Sequence, residues 1–151
     1  MKMEEIRVRK TRGDKVIDFI QHYCRHTIGE FSGEPLILEE WQREFVRDLY
    51  AEYWDDYRER WSYLYQSAVL GVPRGAGKST LAAAICLAEL APMPWATDAP
   101  RILISAVTRE NAMQVYGPAA DMVHLSEGRN DLHDLMMANK NVIWCDENRG
   151  E

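Results

Sequence analysis

Val72-Pro73-Arg74-Gly75-Ala76-Gly77-Lys78-Ser79 lies between an apolar run, Ala68-Val69-Leu70, and an alanine-rich stretch from Leu81 to Ala91. An extended run, a glycine loop and a helix in that order form the context of a phosphate-binding loop. Gly75 and Gly77 allow a sharp turn and let backbone N–H groups approach an anion with no Cβ in the way. The helix opening at Lys78 adds unpaired amides and the positive end of its dipole. In this reading Gly75, Ala76, Gly77, Lys78, Ser79 and Thr80 bind the phosphates of a nucleotide. Lys78 reaches the β- and γ-phosphates, and the Ser79 hydroxyl ligates Mg²⁺. The usual spacing, G-x-x-x-x-G-K-[ST], places glycine where this chain has Val72, and Gly71 stands one residue too early.

The loop sits in a chain of 151 residues with 46% hydrophobic and 28% charged residues, an ordinary composition for one globular domain. No apolar run approaches the ~20 residues of a membrane span, and the first residues carry no signal-peptide core. Cys24, Cys86 and Cys145 are odd in number and far apart, as expected of reduced thiols in a cytoplasmic setting. The net charge of −6 argues against a chain that binds nucleic acid over its whole surface. The charge is uneven: residues 1–15 carry six Lys/Arg against three acids, and residues 30–60 carry ten acids against four arginines. Any DNA contact must be local.

Outward from the loop, residues 1–13 read as a flexible basic arm. Val16, Ile17, Ile20, Tyr23, Cys24 and Thr27 fall at helical spacing from Asp14, and Gly29 ends that helix. His22 and His26 lie one turn apart but lack a second ligand pair for zinc. Trp41, Phe45, Leu49, Tyr53, Tyr57 and Trp61 recur every four residues and predict a long helix over 39–61 with an aromatic core stripe. Residues 63–70 and 101–107 are expected as buried strands, with helices over 79–91 and from Arg109 to about Leu125. Thr108 caps the second of these, and Gly117-Pro118 should kink or divide it. Asn130 caps a short helix to about Ala138, Asn141 to Cys145 is a last short strand, and Asp146 to Gly150 is a turn. The fold class is therefore α/β, an incomplete P-loop NTPase-like parallel sheet flanked by helices, with an N-terminal helical extension.

From Val16 onward the pieces together resemble the large terminase subunit of tailed bacteriophages, the ATPase that drives DNA into a procapsid. Phe19-Ile20 through Gly33-Glu34-Pro35-Leu36 is similar to the family's opening helix and Gly-x-Pro-Leu loop. Leu38-Glu39-Glu40-Trp41-Gln42-Arg43 resembles its Leu-x-x-Trp-Gln-Arg element, and residues 72–79 resemble its deviant Walker A loop. Ile104 to Ala112 is similar to its Ala-x-Thr-x-x-Gln-Ala element, with Asn111 in place of the glutamine. The resemblance implies ATP with Mg²⁺, Gln42 beside the adenine, and Arg74 at the γ-phosphate as a catalytic partner of Lys78. It also implies double-stranded DNA, a portal protein and a small terminase subunit as partners, a homo-oligomeric motor, and the host cytoplasm.

The family pattern also calls for a Walker B strand ending in Asp-Glu and a separate nuclease domain. Residues 14–151 are expected to be the N-terminal part of the ATPase domain, without the nuclease and inactive alone. The alternatives are a compact P-loop NTPase that uses Asp146-Glu147 as its Walker B acids, or a nucleotide-binding piece without turnover. Trp144 and the Asn148-Arg149-Gly150 turn speak against the Walker B reading and for a strand in an unfinished hairpin.

Overall fold

A computed structural model describes residues 6–95, 99–126 and 132–147. The expected cap at Asn130 and the turn at Asn148-Arg149-Gly150 lie outside the described residues. The chain divides into two units, one of residues 1–18 and 38–71 and the other of residues 19–37 and 72–151.

The first unit contains β1 (Val8–Arg9), the opening of α1 (Thr11–Tyr23), α2 (Glu40–Leu49), β2 (Glu52–Asp55) and β3 (Arg60–Tyr63). The three strands form an antiparallel sheet in the order β1-β2-β3. Residues 39–61 are therefore not one helix. Helix α2 stops at Leu49, and the chain turns back on itself through a hairpin. A four-residue aromatic spacing is a multiple of two as well as near one helical turn, so it fits a strand pair equally well. Aromatic β propensity then favours the sheet, in which Trp54 stands opposite Trp61 with ring centroids 5.6 Å apart. Asp55 fixes the turn by accepting the backbone N–H groups of Tyr57 and Arg58, both at 3.1 Å. Tyr57, expected in the core, is 96% exposed at that turn.

The basic segment from Ile6 to Gly13 is structured as well. Val8 and Arg9 pair with β2, and Trp54 donates its N–H to the Arg7 carbonyl at 3.0 Å. Opposite charge explains this ordering: Lys10 meets Asp48 at 2.6 Å, and Arg9 meets Glu52 at 2.8 Å. The Glu52 carboxylate is buried, which makes the Arg9 contact stronger than an exposed pair. Arg9 and Arg12 also lie over the rings of Trp61 and Tyr63. These cations are largely occupied within the unit rather than held out on a free arm.

The second unit is built on α3 (Lys78–Leu90) and α4 (Arg109–Leu125), which pack against each other. Leu81, Ala84, Leu87 and Ala88 of α3, with Ala119, Met122 and Val123 of α4, are buried. The alanines let the two backbones approach closely, and the leucines supply the apolar area. Thr108 caps α4 as expected, its hydroxyl accepting the Asn111 N–H at 3.2 Å. Helix α4 continues as one element through Gly117-Pro118 rather than dividing there. Beyond it lie α5 (Leu132–Leu135) and a two-stranded antiparallel pair, β4 (Met137–Ala138) and β5 (Ile143–Trp144).

The parallel sheet expected from residues 63–70 and 101–107 does not form among the described residues. Tyr63 pairs backward into the first unit's antiparallel sheet instead. Ile102 to Val107 makes no backbone hydrogen bond to another described residue, so no ladder defines it as a strand.

All three cysteines are free. Burial pushes the Cys24 thiol from 9.0 up to about 12. Below pH 9 the thiol is neutral in both folded and unfolded chains and has no effect on stability. As pH rises from 9 towards 12, the unfolded chain loses a proton that the folded chain keeps, so stability should fall. Denaturant titrations of the Cys24→Ala variant should show a shallower loss over that window.

Candidate nucleotide site

The loop before α3 has the backbone that its glycines predict. Gly75 has φ +88° and Gly77 has φ +76°, both in the left-handed region that favours glycine. A Cβ on Gly75 would meet nothing within 4 Å, so the backbone conformation, not crowding, calls for glycine there. Ala76 donates its N–H to the Pro73 carbonyl at 3.4 Å, and Leu81 donates to the Gly77 carbonyl at 2.9 Å, which starts the helix. The amides of Gly75, Gly77, Lys78, Ser79 and Thr80 donate to no described residue. This leaves five N–H groups clustered at the start of a thirteen-residue helix. No acid stands in the first turn of that helix to compete for them.

Arg74, Gly75, Gly77 and Lys78 are exposed, while Ser79 and Thr80 are half-buried. Neither Arg74 nor Lys78 has an ion-pair partner among the described residues. Such an arrangement of amides, two cations and a hydroxyl suits a polyanion such as a nucleotide triphosphate. Mg²⁺ fits the site only in company. Ser79 is a single oxygen donor, and the ion normally takes most of its ligands from phosphates and water.

Gln42, the residue expected beside the adenine, belongs to the other unit, and it is 9% exposed. Its Oε1 accepts the Glu39 backbone N–H at 2.8 Å, forming part of a capping box at the start of α2. The side chain therefore has a local structural task, which a glutamine three residues after Glu39 could have signalled in advance.

Asp146 and Glu147 are exposed and follow β5, which is antiparallel to β4. The turn between the two strands is held firmly. Asn139 Oδ1 accepts the N–H groups of Asn141 and Val142 at 2.8 and 3.0 Å. Arg109 of α4 donates to Asn141 Oδ1 at 2.8 Å, and Tyr116 donates its hydroxyl to the Asn139 carbonyl at 2.7 Å. Asn139-Lys140-Asn141 is thus a turn clasped by α4. The asparagine-rich run was the signal for it.

Among the described residues no group of three His, Cys, Asp or Glu side chains could hold a metal ion, and no helix is long and apolar enough to cross a membrane.

No protein-family model matches the chain. Sequence and structure are nonetheless both similar to one class of protein, the phage large terminase subunit. The terminase large subunit of Enterobacteria phage HK97 is 30% identical over 133 residues, a match spanning 88% of this chain and 24% of that protein. The crystal structure of the HK97 bacteriophage large terminase superposes with a TM-score of 0.68 at 26% identity, over 92% of this chain and 26% of the other. The resemblance to that family is borne out. This chain spans about a quarter of the relative's length.

Proposed function

We propose that this chain is the nucleotide-binding part of a phage DNA-packaging motor, taking ATP with Mg²⁺ on the loop from Arg74 to Thr80. One observation carries the reading: the five unpartnered amides between Gly75 and Thr80, set by two left-handed glycines at the start of α3. Lys78 would neutralise the β- and γ-phosphates, and Ser79 would complete the shell of a nucleotide-borne Mg²⁺. Arg74 would sit at the γ-phosphate. Phosphoryl transfer draws mainly on positioning and charge stabilisation, and these residues supply part of both.

The chain alone binds ATP without turning it over. Two features favour this over a compact ATPase that uses Asp146-Glu147. Strand β5 is a two-residue strand in an antiparallel pair, and both acids are exposed. DNA, portal and small-subunit contacts, and homo-oligomer assembly, belong to the complete motor. Azido-ATP labelling run beside a phosphate-release assay tests the proposal. Labelling that excess ATP suppresses, with no release, is expected, and release at a steady rate would support the compact ATPase instead.

Two variants refine the assignment. Arg74→Ala should weaken ATP more than ADP, since the arginine acts at the γ-phosphate; equal losses in a calorimetric titration would remove that role. Gln42→Ala loses both the cap and any adenine contact, so its helix should weaken by about 0.3–1.5 kcal/mol. Gln42→Glu keeps a side chain able to cap and should melt like the parent. Loss of ATP-over-GTP preference in the glutamate variant, at unchanged melting temperature, would assign Gln42 to adenine. Unchanged preference would leave it as a cap alone.

A further inference from the structure

The short strand β1 is held to the first unit mainly by charge. It lies at the edge of the β1-β2-β3 sheet and pairs over two residues, Val8 with Tyr53 and Arg9 with Glu52. The Trp54 N–H also donates to the Arg7 carbonyl at 3.0 Å. Little apolar burial adds to this hold, because Ile6 is 68% exposed and Val8 is 47% exposed. Ion pairs supply the rest: Arg7 faces Asp56 at 3.8 Å, Arg9 meets Glu52 at 2.8 Å, and Lys10 meets Asp48 at 2.6 Å. Arg9 also lies 4.1 Å from the Trp61 ring centroid.

Each acid that faces this segment can let it go. The side chains of Asp48 and Asp56 are 59% and 74% exposed, so water replaces Lys10 and Arg7 at small cost. Glu52 is buried, and a buried carboxylate stripped of its cation is costly. A second cation covers it: Arg12 of α1 stands 3.9 Å away and also lies over the Tyr63 ring of β3. Arg12 need not leave with β1, because α1 is fastened to α2 just beyond it. The Gly13 backbone packs against the Val46 and Arg47 backbone, and Asp14 pairs with Arg47 at 2.7 Å.

We infer that residues 6–10 form a strap that opens from β2 at high ionic strength while α1, α2 and the β2–β3 hairpin stay folded. The strap is a local opening unit, hinged where α1 begins at Thr11. Closed, it keeps Arg7, Arg9 and Lys10 on the chain's own acids. Open, it frees three cations within four residues and uncovers the face of Trp61 on which Arg9 lies. Salt drives the change because it screens the ion pairs and leaves the apolar contacts of the hairpin intact.

Amide hydrogen exchange on the full chain, followed by NMR, tests this between about 0.01 M and about 1 M NaCl, where the Debye length falls from ~30 to ~3 Å. The Trp54 amide reports the strap, since it donates to Arg7. The Leu64 amide, which donates to the Ala51 carbonyl at 2.8 Å, reports the base of the hairpin without it. Exchange at Trp54 should accelerate at least tenfold over that range, and Leu64 should hold its rate. Asp48→Asn removes the partner of Lys10 at an exposed position and should open the strap at low salt, so that Trp54 exchanges fast throughout. Glu30→Gln makes the same charge change on an exposed side chain of the second unit and should behave like the parent. The strap is refuted if the Trp54 rate does not respond to salt, or if Trp54 and Leu64 accelerate together. It is also refuted if Asp48→Asn and Glu30→Gln give the same Trp54 rate.

Discussion

Lys78→Ala should lower ATP affinity at least tenfold and leave the fold unchanged. The lysine is exposed, opens α3 and has no ion-pair partner among the described residues, so its removal disturbs no packing. A charge-assisted hydrogen bond to a phosphate contributes ~1.5–3 kcal/mol, which is tenfold or more in affinity. The five amides remain in the variant, and so residual binding should persist at high nucleotide concentration. Calorimetric titration of both proteins, with thermal melts beside it, separates lost binding from lost structure. Equal affinities would take Lys78 out of the site.

Gly13→Ala should destabilise the first unit by up to ~2 kcal/mol net, although alanine is the better helix former. A Cβ at this position would lie 2.6 Å from the Arg47 Cα and 3.1 Å from the Val46 carbonyl oxygen. Both are backbone atoms, so no side chain can swing away. The helices must separate, and overpacking of this kind costs ~1–3 kcal/mol. The helix-propensity gain of up to ~1 kcal/mol offsets only part of that. Separation would also pull on the Asp14–Arg47 pair, now at 2.7 Å. Gly71→Ala in the same unit is the contrast, since a Cβ there meets nothing within 4 Å. It should be neutral or stabilising. Denaturant unfolding of the two variants should therefore move in opposite directions or, at the least, differ by more than ~1 kcal/mol.

The contrast between these two glycines also marks what could be read from the chain. Gly75 and Gly77 were legible because their role is local: a left-handed turn ahead of a helix has a fixed spacing to Lys78 and Ser79. Helices α3 and α4 were legible for the same reason, with Thr108 capping one and Pro92 following the other. Gly13 carries no local mark, because its neighbour Arg47 is distant in sequence. The hairpin of β2 and β3 was hidden by a spacing of four, which serves helix and strand alike, and was decided by cross-strand contacts such as Trp54 with Trp61. The clasp of Arg109 and Tyr116 on the 139–141 turn likewise depends on a tertiary meeting. As for the parallel sheet, its segments were read from apolar content, but a strand exists only where a ladder forms. Ile102–Val107 has the content without a described ladder.

The most direct test of the central claim is a titration of the isotopically labelled wild-type chain with Mg²⁺-ATP, followed by backbone amide NMR. The amides of Gly75, Gly77, Lys78, Ser79 and Thr80 should shift most, in a saturable way, and inorganic phosphate at equal concentration should reproduce only a weak version. Shifts scattered over the chain, or none at these five amides, would contradict a nucleotide site on this loop.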